Sequence, residues 1–162
     1  MKKRTSTLKM VLSALFLALA YIMPYITGQI PEFGSMLCPM HIPVLLCGFI
    51  CGWQWGFLVG FASPLFRSAI AGMPPMFPTA ICMAFELSTY GAISGIMYRL
   101  LPKKKINVYV SLLTSMLVGR IVWGCAMLIA LGINGKSFGL PAFIAGAFTN
   151  TLPGIATQII LV

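Results

Sequence analysis

Very few side chains in this sequence can exchange protons or hold a counter-charge. It has two acids, Glu32 and Glu86, a single histidine, His41, and no Asp. Against them stand eleven Lys and Arg, for a net charge of +9. No HExxH stretch is present, and no complete phosphate-cradling loop ends in Lys followed by Ser or Thr. The sequence therefore does not point to an enzyme or to an ATP-driven motor. If the chain takes part in active transport, the energy must come from a partner or an ion gradient. The five cysteines, Cys38, Cys47, Cys51, Cys82 and Cys125, form no CxxC pair and have one histidine to work with. A zinc or haem site needs a denser set of ligands, so neither a metal nor another cofactor is expected. Four of the five fall in apolar stretches, where Cys acts as a small hydrophobe.

The elements that must position these groups follow from composition. Of 162 residues, 59% are hydrophobic and 8% charged. A soluble domain carries about a quarter charged residues, so a water-facing surface cannot be assembled. A hydrocarbon core requires about 20 apolar residues per helix, which allows roughly six spans in one domain, 1–162. The apolar runs are Leu8–Ile26, Met40–Ile50, Trp53–Ala71, Phe77–Leu101, Ile106–Ile133 and Pro141–Val162. The second is short for a full span. The first lacks the short apolar core and small-residue cleavage site of a signal peptide and reads as a retained helix. Breakers separate the runs: Thr27–Pro39, the three prolines of Met73–Pro78, Pro102, and Asn134-Gly135. The expected fold is an all-α membrane protein, a compact bundle of six transmembrane helices.

Positive charge in short loops sets orientation. With the N-terminus inside, six spans place Lys2, Lys3, Arg4, Lys9, Arg99 and Lys103–Lys105 on the cytoplasmic side. Lys136 alone lies in a loop on the far side. The expected topology is N-in/C-in, in a cell membrane and most naturally the bacterial cytoplasmic membrane. The bases do not form a nucleic-acid footprint.

A charge inside a membrane is expensive and usually functional. Glu86 lies nine residues after Phe77, about 14 Å into its helix at 1.5 Å per residue. Arg120 lies thirteen residues before Ile133, about 20 Å from the same side, and Asn150 nine residues after Pro141, about 14 Å deep. Acid, base and amide thus share one slab of the outer half. They could be an ion pair tying helices together, or line a ligand cavity open to the outside, and a ligand could share the pair. Tyr90 is one turn from Glu86, and Trp123 three residues from Arg120, so each shares a face with its charged neighbour. Arg67, near the outer end of its run, is expected to snorkel to water as an anchor. Gly146, Asn150 and Gly154 form an i, i+4 stripe that also suits close helix packing. Gly48, Gly52, Gly56 and Gly60 recur every fourth residue, but a turn between two runs should keep them off one continuous stripe.

The chain resembles the substrate-binding S components of energy-coupling factor vitamin transporters. The resemblance rests on six spans in this length, a basic N-terminus and the AxxxA step Ala14–Ala18. It rests more specifically on Pro39–Gly60 and Gly72–Gly91, the second of which resembles the pantothenate- and folate-type branch. It implies high-affinity capture of a vitamin from outside, and association with a transmembrane coupling protein and two cytoplasmic ATP-binding subunits. It further implies that the S component topples to deliver its pocket inward. Ala14 and Ala18 map onto the face that meets the coupling protein. Ligand contacts map onto Thr27–Pro39, Glu86, Tyr90, Arg120, Trp123 and Asn150. Arg120, with Arg67, favours an anionic vitamin such as pantothenate, with folate and nicotinate open. A self-sufficient secondary transporter or channel is the competing class, although no three-plus-three inverted repeat is visible.

Overall fold

The computed structural model describes residues 2–27, 40–72, 74–102 and 105–133. Among them are five α-helices and no strand: α1 (Lys2–Thr27), α2 (His41–Cys51), α3 (Trp53–Ala71), α4 (Ile81–Leu100) and α5 (Lys105–Ile133). A π-type turn, Met76–Ala80, leads into α4. Three stretches are long and apolar enough to cross a membrane, namely Ser6–Ile26, Met76–Leu100 and Ile106–Gly132, and α2 is a shorter apolar helix. The sixth expected span, Pro141–Val162, lies outside the described residues, as do Glu32, Cys38, Gly146, Asn150 and Gly154.

Local chemistry explains the breaks. Pro43 falls in the first turn of α2, where backbone N–H groups have no intrahelical acceptor and proline removes nothing needed. At Gly52 the chain takes φ 99°, a conformation that penalises any Cβ, and α3 restarts at Trp53. The helix expected from Phe77 begins instead at Ile81. Pro78 disfavours helical geometry at the residue before it, and Phe77 is extended at φ −123°, ψ 133°.

Helix α4 is central and packs against α2, α3 and α5, while α1 lies against α2 and α3. Glycine makes this possible. A Cβ on Gly56 would meet the Gly91 carbonyl, and one on Gly91 would meet the Gly56 carbonyl, so α3 and α4 touch backbone to backbone. Gly48 also faces Gly91, and Gly60 faces Leu87. As expected, the helix breaks at Gly52, which stands off the stripe with open space at its Cβ position. Gly48, Gly56 and Gly60 all line α4 across the break at Gly52, because α3 resumes with Gly56 stacked on Gly48.

The outer surface of the bundle is apolar, and its interior sets buried hydroxyls among a core of Phe16, Val44, Leu45, Leu87, Leu112 and Met116. Ser13, Ser88, Ser94, Ser111 and Ser115 are buried, and each hydroxyl donates to a carbonyl of its own helix. Leu8, Val11, Phe57, Leu58, Leu113, Leu117, Ile121 and Ile129 are exposed. An apolar surface of this extent would drive aggregation in water; in a bilayer it is the lipid-facing surface.

Candidate functional site

Glu86, on α4, is 2% exposed, and three groups converge on its Oε1. Tyr90, one turn further along α4, donates its hydroxyl at 2.7 Å. Arg120 of α5 brings Nη1 to 3.1 Å. His41, the first residue of α2, holds Nε2 at 3.6 Å, beyond hydrogen-bond length but within ion-pair range when the imidazole is protonated. The His41 ring also lies against Tyr90, with centroids 5.0 Å apart. His41, Tyr90 and Arg120 are all buried. Three helices thus contribute to one enclosed cluster whose acid and bases are mutually compensated, the condition under which charge persists in a low-dielectric interior.

Each side chain is placed by an identifiable feature. Glu86 and Tyr90 are separated by four residues, which stacks them on one face of α4. The Tyr90 ring packs over Gly119, the residue before Arg120, so α5 comes close enough for the guanidinium to reach the carboxylate. Met40 precedes the first turn of α2, and its sulfur lies 3.8 Å from Arg67 Nη1.

The sequence model described as "ECF transporter, substrate-specific component" matches residues 8–162. The chain belongs to this family. No curated protein and no solved structure gives a match. Membership makes it a membrane protein that binds a small-molecule substrate for an ECF transporter and works with ECF module partners. Such components are transporter subunits rather than enzymes.

Within this S component, the expected approach of Glu86, Tyr90 and Arg120 is realised. Trp123 is half-buried, on the same helix as Arg120. Asn150 and the loop 27–39, apart from Thr27, lie outside the described residues. Arg67 is half-buried one turn from the end of α3. Its guanidinium sits 5.8 Å above the Tyr25 ring, so it ties the end of α3 to α1 and to Met40.

His41 is absent from the expected ligand contacts. The available signal was that the chain's only histidine opens an apolar run, where an ionisable group needs a partner. Of the described cysteines, Cys47, Cys51 and Cys82 are buried and Cys125 is exposed, and the Cys47 thiol donates to Ser13 Oγ at 3.7 Å across the α1–α2 seam.

The other sequence candidates, Ala14 and Ala18, are both exposed on α1. Ser13, Phe16, Ala20 and Pro24 form the buried face of that helix, and Val11, Leu15 and Ile22 flank the alanines outside. Small exposed side chains at i and i+4 leave a shallow strip along which another helix can approach closely.

Proposed function

We propose that this S component captures an anionic vitamin, pantothenate foremost, for an ATP-driven ECF importer. The observation that supports this reading is the buried Glu86–Arg120 pair with Tyr90 and His41 around it. Arg120 supplies the cation that a substrate carboxylate requires, and Glu86 holds it in place and compensates it when the site is empty. Tyr90, Trp123 and Asn150 complete the ligand contacts in this reading. The chain forms one domain of six spans with both termini in the cytoplasm. The exposed strip at Ala14 and Ala18 receives the transmembrane coupling protein, which brings two cytoplasmic ATP-binding subunits. Hydrolysis on those subunits, with toppling of the S component, moves the site inward.

The deciding experiment is purification from cells in mild detergent, followed by mass spectrometry of the small molecules released on denaturation. Pantothenate near one per chain is the expected result. A different vitamin at that ratio would replace the substrate and keep the class, while no small molecule, together with no binding of added vitamins, would remove both.

A further inference from the structure

At the end of the bundle away from Glu86, a cleft of about 590 Å³ opens beside the Gly52 turn. Lys9 of α1, Arg99 of α4, and Trp53, Gln54, Trp55 and Tyr98 are among the residues that line it. No acid is among them. Glu86 is thirteen residues from Arg99, about 20 Å along α4, so neither cation is compensated by the buried carboxylate. Large apolar side chains line its opening: Ile50 is 55% and Trp53 40% exposed. The cleft therefore combines two cations, aromatic N–H and O–H donors and an amide with a rim that faces hydrocarbon.

We propose that this cleft binds the phosphate headgroup of an anionic membrane lipid. This rests on the membrane-spanning reading of the bundle and on nothing about the vitamin pocket. Lys9 and Arg99, from different helices, hold the phosphate from two sides. Indole and phenol groups belong at headgroup level, where one end of the ring is apolar and the other wet. Acyl chains leave over Ile50 and Trp53. Free phosphate offers the same anionic chemistry but makes no use of the apolar rim. Basic pockets between transmembrane helices are a recurring form of headgroup site.

Trp53 and Trp55 are two of the three tryptophans of the chain, so a Trp123→Phe variant reports on the cleft alone. The variant is placed in phosphatidylcholine nanodiscs containing a tenth of phosphatidylglycerol, with bromines near the headgroup of one lipid or the other. The expected result is stronger quenching by brominated phosphatidylglycerol than by brominated phosphatidylcholine at equal mole fraction. Lys9→Gln and Arg99→Gln should each lower that preference about fivefold, and both residues are exposed, so the variants should fold. Equal quenching by the two lipids overturns the proposal, as does a preference that survives the double substitution. A response to millimolar inorganic phosphate in pure phosphatidylcholine, matched by no preference for phosphatidylglycerol, would assign the cleft to a free anion and overturn the lipid assignment. Failure of the vitamin reading would leave the quenching unchanged, so the two proposals fail separately.

Discussion

The ring of Tyr90 occupies the space over Gly119 that a side chain there would need. One aromatic residue thereby does two things at once. Its hydroxyl bonds Glu86, and its face seats α5 so that Arg120 arrives at the same oxygen. Packing and charge compensation in the cluster are consequently coupled.

Two substitutions separate these roles. Tyr90→Phe keeps the ring and deletes a hydrogen bond to a charged acceptor, which is expected to lower stability by about 1.5–3 kcal/mol. Gly119→Ala keeps the hydroxyl and forces the ring aside, an overpacking change expected to be destabilising by about 1–3 kcal/mol. Thermal unfolding in detergent measures both. Because the residues are in contact, the double variant should fall short of the sum; strict additivity would show that the two roles are independent.

The α3–α4 contact gives a sharper stability test. At Gly91 an added methyl meets the Gly56 carbonyl, and backbone cannot move aside as a side chain can. Gly91→Ala should therefore destabilise more than Ala84→Gly, which only removes a buried methyl from the same helix. Size-exclusion profiles and unfolding temperatures of the two variants provide the comparison, and a mild Gly91→Ala phenotype would mean that the helices can separate without loss.

The limits of the helices were largely legible because breakers mark them. Trp53–Ala71 lies between Gly52 and the prolines of Met73–Pro78, and α3 has those limits. The start of α4 was misplaced because Pro78 acts on the residue before it, which apolar content does not register. Glu86, Tyr90 and Arg120 were found because charge and helical spacing are one-dimensional properties. His41 is the first residue of α2, where a depth count puts it at the end of its run, and only the packing of α2 against α4 brings it to the cluster. The interruption of the glycine repeat at Gly52 was legible, whereas the way Gly48, Gly56 and Gly60 still face α4 depends on packing that neither segment shows alone.

The exposed strip on α1 predicts a separation of binding from transport. Ala14→Trp with Ala18→Trp adds bulk where the described structure has space, so the isolated protein should fold and bind vitamin with unchanged affinity. Uptake into cells carrying the ECF module should be lost, because close helix approach depends on small side chains. Calorimetry beside a radiolabel uptake assay tests both halves; loss of binding with intact assembly would place the partner face elsewhere.

Orientation is testable through single cysteines in a variant whose native thiols are replaced. Position 136 should react with an impermeant maleimide added outside, and position 104 should react only after permeabilisation, because the basic loops stay in the cytoplasm. The opposite pattern would invert the bundle and move the Glu86 cluster to the inner half.

The cluster itself yields the most discriminating pair of variants. Arg120→Ala leaves Glu86 buried beside a neutral residue, which for a broken buried ion pair is destabilising by about 3–5 kcal/mol. If Arg120 also holds a substrate carboxylate, folded Arg120→Ala protein should lose a further 2–5 kcal/mol of binding, roughly 30- to several-thousand-fold in affinity. Glu86→Gln acts differently. The amide oxygen can still accept from Tyr90, and Arg120 is released from its counter-charge, so a carboxylate ligand should bind as well or more tightly. A merely structural pair predicts otherwise: both variants lose stability, and binding per folded molecule stays constant. Calorimetry on monodisperse protein, normalised to the folded fraction and set beside thermal unfolding, distinguishes the cases. Pantothenol, in which a hydroxymethyl group replaces the carboxylate of pantothenate, serves as the control ligand. Its affinity should be insensitive to Arg120→Ala, and equal losses for both ligands would remove Arg120 from the binding site.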